Sequence, residues 1–263
     1  MKAYLAILSS RLRTLLQYRA AAIAGAATQL FFGLVRMMIF EAFYGSSSTP
    51  QPMTSDQTVT YIWLGQALLL LTMVGPDPDV ASMIRSGNVA YELTKPIDLY
   101  GLWFARALSG RIMPLLMRGI PIFIVAGLFL RMQPPASVMA GTMFVVSVFG
   151  AFLLAASFVT LLTMSLLLTI SGEGIARLAP APIFFFSGVA VPLPFFPDWM
   201  QPLIALLPVR GLIDTPLRLY MEHLSGAAAL AALAHQFVWV GVFIILGRMI
   251  LARLIHRLVV QGG

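Results

Sequence analysis

The stretch VGPDPDVASMIRSGNVAYELTKPIDLYGLWFAR, Val74 to Arg106, holds four acidic residues, three basic ones and three prolines. Almost nothing else in this chain of 263 residues is so polar. It lies between two apolar runs, about Val59 to Gly75 and Ile112 to Leu130. Gly75 and Pro76 stop the first run, Asp77 is a good N-cap, and Pro78 suits the first helical position. Val80, Met83 and Ile84 then share one side of a short helix, with Asp79, Ser82 and Arg85 elsewhere, and Gly87 and Asn88 end it. VAYELTKP is expected to follow as an extended link. Asp98 is placed to cap a second helix that carries Tyr100, Trp103 and Phe104 along the membrane surface. A short helix with a defined start and stop, held below a membrane, is a docking knob; a plain surface loop needs neither.

The composition decides what the flanking runs are. The chain is 59% hydrophobic and 10% charged, with a mean hydropathy of +0.90. Soluble domains average about 25% charged residues, and a soluble fold of this size cannot hide so much apolar surface. The chain reads as an all-α integral membrane protein. Crossing lipid takes about 20 apolar residues at about 1.5 Å per residue. Six spans meet this: about Ala20 to Phe43, Val59 to Gly75, Ile112 to Leu130, Ser137 to Leu162, Ile175 to Val191 and Ala228 to Leu251. The fourth stays apolar to Ile170 and is expected to extend as a helix beyond the membrane. Before them, residues 1–19 put Leu5, Leu8, Leu12, Leu15 and Leu16 on one helical face, which predicts an amphipathic helix on the inner membrane surface. Arg11, Arg13 and Arg19 stand where a signal-peptide cleavage site would be.

Orientation follows the basic residues. Lys2, Arg11, Arg13, Arg19, Arg85, Lys95, Arg106, Arg111, Arg177, Arg248, Arg253 and Arg257 share one side if there are six spans. The other side receives Arg131, Arg210 and Arg218. Both termini and the 76–106 segment are therefore expected to be cytoplasmic. The net charge of +7 is a loop-orientation signal, and no nucleic-acid partner is expected. The opposite side carries the run 192–224, apolar but punctuated by Pro192, Pro194, Pro197, Pro202, Pro208 and Pro216. Prolines this frequent forbid a long regular helix, so short helices are expected to dip into the outer leaflet as a re-entrant hairpin, with protein or water covering their backbone. Trp199 suits the interface. No internal repeat or soluble domain is visible.

Several chemistries are excluded or left without residues. With no cysteine there is no disulfide, thiolate or Cys-based metal site. His223, His235 and His256 show no ligand spacing, so no metal is expected. Neither Lys2 nor Lys95 sits in a phosphate-binding loop, and the zinc-protease and serine-hydrolase motifs are missing. The chain is expected not to be an enzyme by itself and to hold no cofactor. The short runs LSG (108–110) and SGEG (171–174) read as small-residue turns.

Charged groups inside spans are the remaining candidates, because burying them is costly. Gly25, Gln29, Gly33 and Arg36 share one face of span one. That face is small and polar, as a helix contact or an aqueous path requires, while Arg36 could equally snorkel to the headgroups. Glu41 lies about 140° around the helix from Arg36 and is a poor partner. In span three Arg111, Pro114, Arg118 and Pro121 form one stripe. Arg118 is about 9 Å from the cytoplasmic end, within snorkelling reach or lining a path. Gln29, Gly33, Arg36 and Arg118 are the candidate translocation-path residues. The 15 methionines suit ordinary core filling, or adaptable packing around apolar substrates.

The chain resembles the permease subunits of ABC-2-type ABC transporters, most closely the small six-span branch without a soluble domain. The resemblance covers nearly all of 1–263 as a single transmembrane domain. It rests on the basic N-terminal helix, on IRSGNVAYELTKPIDLYGLWFAR, on FFFSGVAVPLPFFPDWMQPLIALLP, and on the six spans. Thr94 and Lys95 before Pro96, and Ile97 in place of a commoner Leu, depart from the usual pattern. The resemblance implies an exporter in a bacterial cytoplasmic (inner) membrane. Two permeases, identical or related, form the substrate path, largely from spans one, two and five, and the outer hairpin gates it. Two cytosolic ATPase subunits bind the ATP and magnesium and dock on a coupling helix, here about Asp77 to Ser86, with Asp77, Asp79, Val80, Met83, Ile84 and Arg85 as its contact residues. The absence of a wide polar channel tilts the substrate toward a small amphiphilic or hydrophobic compound. A secondary transporter or a non-transporting membrane scaffold is the alternative; a membrane enzyme fits worst.

Overall fold

The computed structural model describes residues 19–93, 96–168 and 173–255, and among them every regular element is a helix. The amphipathic segment expected over 1–19 lies, apart from Arg19, outside the described residues, as do Thr94, Lys95, Ser171, Gly172, His256 and Arg257. The helices are α1 (Arg19–Ser46), α2 (Ser55–Leu68, prolonged by a 3₁₀ turn Leu69–Leu71), α3 (Pro78–Arg85), α4 (Val89–Leu93), α5 (Leu99–Phe129) and α6 (Val138–Leu168). After them come α7 (Glu173–Leu178), α8 (Pro180–Phe186), α9 (Gln201–Leu206), α10 (Asp214–Tyr220) and α11 (Gly226–Ile255). Three further 3₁₀ turns, Leu193–Phe195, Asp198–Met200 and Pro208–Leu212, fill the proline-punctuated region.

Four helices, covering Arg19–Ser46, Leu99–Phe129, Val138–Leu167 and Gly226–Arg253, are long and apolar enough to cross a membrane. At 28 to 31 residues for α1, α5, α6 and α11, each is about 42–47 Å long, more than the roughly 30 Å hydrocarbon core requires. Their outward faces are apolar: Phe31, Phe32, Met38 and Ile39 on α1 and Leu128 and Phe129 on α5 are all more than half exposed. Surface of that kind demands lipid or a protein partner, and the chain is a membrane-embedded helical protein. The other two expected spans are shorter pieces. α2 has 14 helical residues before its 3₁₀ turn. The run from Ile175 is interrupted at Ala179, because Pro180 and Pro182 bring no backbone N–H to the helix ladder.

α6 is the centre of the bundle, packed by α11, α5 and α10. Over its most apolar window 56% of residues are buried, against 17% for α1, so α6 meets protein where α1 meets its surroundings. Small residues allow this closeness: Ala151, Ala155 and Ala156 are fully covered beside Leu154. Gln236 of α11 crosses to α6 and donates to the Ser147 carbonyl (2.9 Å) and to the Gly211 carbonyl (2.7 Å). This amide serves two backbone acceptors, one of them in a turn that has no helical ladder.

Polar contacts mark the two ends of the bundle. At one end Arg131, at the close of α5, reaches Glu41 (3.0 Å) and Asp56 (2.6 Å). At the other, Arg248 reaches Asp98 (3.2 Å), and the Asp77 N–H donates to Thr163 Oγ1 (3.0 Å). The exposed ion pairs contribute little to stability, about 0–1 kcal/mol each, but they show which helix ends lie level.

Two local expectations change. VAYELTKP is not extended where described: Val89–Leu93 forms α4, started by the Tyr91 N–H on the Asn88 carbonyl (3.1 Å) and fixed by Trp103 Nε1 donating to the buried Glu92 (3.1 Å). Asp98 does cap a helix, accepting from the Gly101 N–H (2.9 Å), but that helix runs on unbroken to Phe129. Between Leu99 and Pro114 nothing interrupts the ladder, and Pro114 and Pro121 are absorbed inside it. Tyr100 and Trp103 consequently lie buried in the chain's own packing, not along a membrane surface.

Candidate functional site

The stripe Gly25, Gln29, Gly33 and Arg36 on α1 turns inward, against α2 and α5. Gly25 leaves room for the Arg118 guanidinium of α5, which a Cβ there would strike. Gln29 Nε2 donates to the Gln66 carbonyl of α2 (3.1 Å). A Cβ on Gly33 would run into the Trp63 indole. Arg36 Nη2 donates to the Val189 carbonyl and to the Ala190 carbonyl (2.6 Å). With its oxygen turned toward Arg36, the Gln66 amide accepts from Nη1 (3.1 Å) and donates to the Gln29 carbonyl (3.3 Å). Gln29, Gly33, Arg36 and Arg118 thus meet in one seam. The crevice beside Arg36 holds about 10 Å³, about the room of one water molecule, so in this conformation the seam is packed.

Arg36 sits about 15 Å inside the end of α1, counting ten residues at about 1.5 Å each. Its guanidinium goes to the chain's own backbone rather than to the bilayer surface, and the reason lies in its partners. α8 ends at Phe186, and Ser187 to Val191 form no helix. Carbonyls of such a stretch, surrounded by apolar helices, need donors from elsewhere. Arg36 supplies two. Gly188 bends the chain there with φ of +96°, a conformation open to glycine, and a side chain on it would collide with the Tyr61 hydroxyl.

Tyr61 and Asp214 complete this node. The Tyr61 hydroxyl donates to Asp214 Oδ1 (3.0 Å), the Asp214 N–H donates to the Ser187 carbonyl (3.1 Å), and Arg218 Nη1 stands 3.9 Å from Asp214 Oδ2. Burial pushes the Asp214 carboxyl up from its ordinary 3.8 to about 6, against the opposing pull of Arg218 and the Tyr61 hydrogen bond. Neither Tyr61 nor Asp214 stands out in the sequence. The available signal is a lone acid in the apolar run LIDTPLRL, and its partner lies 153 positions away.

The segment predicted to dock a partner forms at the Asp98 end. Asp77 Oδ1 accepts from the N–H groups of Asp79 (3.0 Å) and Val80 (3.2 Å), Pro78 opens α3, and Gly87 with φ of +76° follows its end. Val80 is fully buried in a cluster with Val89, Trp103, Met164 and Leu251, and Met83 and Ile84 pack against the same cluster. The apolar side of α3 therefore faces the chain itself. Asp79, Ser82 and Arg85 face outward.

No protein-family model, curated protein or solved structure matches this chain.

Replacing Arg36 by Met leaves the Val189 and Ala190 carbonyls without their donor. Thermal melting in detergent micelles should show a loss of about 2–4 kcal/mol, with Arg36→Lys losing less than half as much; equal melting of all three proteins would contradict the clamp. For Asp214 the raised carboxyl means that the folded state holds its proton more tightly than the unfolded state. Stability is then highest below about pH 4 and falls, by up to about 3 kcal/mol, as the pH rises through about 6. Asp214→Asn should flatten that slope in melting curves recorded from pH 4 to 7.

Proposed function

We propose that the chain is the membrane-spanning permease subunit of an ATP-driven ABC-2-type exporter, paired with a second permease and driven by two separate cytosolic ATPase subunits. The observation that carries this reading is α3. A helix of eight residues, capped by its own Asp77, is fixed to the bundle by the Asp77 N–H on Thr163 and by the burial of Val80. A force applied to α3 passes directly to α6, the most buried of the four long helices. The surface that it leaves for an ATPase is polar, formed by Asp79, Ser82 and Arg85, while Asp77, Val80, Met83 and Ile84 hold it in its seat.

Six crossings are supported by the levels of the helix ends. α2 begins beside Arg131 and the segment after it reaches Arg111, whose Nη2 donates to the Met73 carbonyl (3.4 Å). Arg111 and Arg131 are 20 residues apart on and just past α5, about 30 Å, the thickness of a hydrocarbon core. On this reading α2 with its 3₁₀ turn, and α7 with α8, are the remaining two spans. The 192–224 region is a re-entrant hairpin, and both termini lie on the side of α3. Residues Thr58 to Leu68 of α2 are all buried within the chain. A second permease therefore meets α1 and α8, where Phe31, Phe32, Phe184 and Phe185 are exposed. Such a lining suits small amphiphilic or hydrophobic substrates.

The test uses inside-out vesicles and ATP-dependent uptake of a hydrophobic fluorescent dye. The double variant Asp79→Lys/Arg85→Glu, which reverses the outward charges of α3, should cut uptake at least tenfold in protein that still folds and reaches the membrane in the parent's amount. Dye uptake that ignores ATP, or that survives the charge reversal, contradicts the reading.

A further inference from the structure

Arg118 is a cation without an anion. It lies on α5 seven residues past Arg111, about 10 Å further along the helix. An arginine near a helix end usually carries its charge back to that end. Here the guanidinium lies across the seam against Gly25 of α1, where a Cβ would strike it. Gly25 is itself six residues past Arg19, about 9 Å, so the charge stays at depth. Among the described residues Arg118 forms no ion pair and no hydrogen bond. The chain's carboxylates are engaged elsewhere: Glu41 and Asp56 by Arg131, Glu92 by Trp103, Asp98 by Arg248, Asp214 by Tyr61, and Asp77 in the cap of α3. The segments outside the described residues contain no aspartate or glutamate.

The surroundings define the anion that can reach this charge. Arg118 is partly buried; its Nε is closed in without an acceptor, while its two terminal nitrogens are neither closed in nor bonded. One helical turn away stand Ala21 and Thr28 on α1 and Pro121 on α5, all exposed. Ile120 and Ile124, 49% and 52% exposed, continue the outward face of α5. The open donors thus stand at the lip of the α1–α5 seam, on a surface that faces lipid. A guanidinium is a planar fork of donors that matches the oxygens of a phosphate, and a charge at this depth is costly until it is paired. A zwitterionic headgroup would bring a second cation into the seam; an anionic one neutralises the arginine and brings none. From this geometry we propose that the α1–α5 seam binds the phosphate of an anionic phospholipid through Arg118, drawn from the leaflet on the side of α3, with its chains along Ile120 and Ile124. The inference is independent of the permease reading and holds whether or not an ATPase is bound.

The experiment takes the full chain in uncharged maltoside micelles and titrates it calorimetrically with dihexanoyl phosphatidylglycerol, dihexanoyl phosphatidylcholine and inorganic phosphate. The expected result is saturable binding of phosphatidylglycerol, with the other two probes at least tenfold weaker. Arg118→Gln should weaken phosphatidylglycerol at least tenfold and bring the two lipids to similar affinity, with Arg118→Lys between it and the parent. Arg118 has no bond to lose, so the fold should survive, as melting can check. Gly25→Ala, which keeps the charge but displaces the guanidinium from its place in the seam, should weaken binding independently. Three results would each overturn the proposal: no saturable binding of phosphatidylglycerol, binding of phosphatidylcholine or free phosphate as tight as that of phosphatidylglycerol, or a phosphatidylglycerol affinity unchanged in both Arg118→Gln and Gly25→Ala.

Discussion

Backbone that leaves a helix inside an apolar bundle must find hydrogen-bond partners within the protein. Here that constraint falls on Val189 and Ala190, just past the broken helix α8, and Arg36 meets it. The consequences spread from that clamp. An arginine facing inward on α1 dictates a face of small and polar residues beside it, so Gly25, Gln29 and Gly33 line the seam with α2 and α5. The same turn needs Gly188 under Tyr61, and Tyr61 in turn orients the buried Asp214. One irregular stretch thereby ties α1, α2, α8 and α10 together. Burying a charge is costly in an apolar surrounding unless it is hydrogen-bonded, and the Val189 and Ala190 carbonyls would otherwise lack this donor. The two liabilities offset each other.

The opposite end of the bundle works by apolar burial. Val80, Met83 and Ile84 seat α3 on the cluster built from α4, α5, α6 and α11. Thr163 accepts from the Asp77 N–H and donates to the Val159 carbonyl of its own helix (2.7 Å), so α3 is joined to α6 by a polar as well as an apolar contact. A helix fastened in this way can act as a handle on the bundle core, whereas a helix tethered only by its ends would swing. α6 passes between the two regions, and it also meets α10 beside the polar node. The permease reading requires such a shared element between its two ends.

Much of this was legible in the sequence. The cap and stop of α3 are written in Asp77, Pro78 and Gly87, and the four long helices in sustained apolar runs. The stripe at 25, 29, 33 and 36 announces a helix contact because its spacing is helical and its members are small or polar. Other features depend on distant partners and carry no local signal. Amphipathicity shows that α3 has an apolar side but not which surface covers it, and here the chain's own α5, α6 and α11 do. Nothing near Asp98 tells whether its helix stops or continues, since no breaker follows until prolines that a packed helix can absorb. The Tyr61–Asp214 pair joins elements 153 positions apart.

The central functional claim is that this chain is the membrane half of a machine whose other half hydrolyses ATP. Its most direct test is gentle purification of the tagged chain from its native membrane, with quantitative mass spectrometry of what accompanies it. The expected result is a soluble protein bearing a phosphate-binding loop, in one-to-one ratio with total permease, and lost when the outward charges of α3 are reversed. Recovery of the chain alone, under conditions that keep other membrane complexes intact, would contradict the claim.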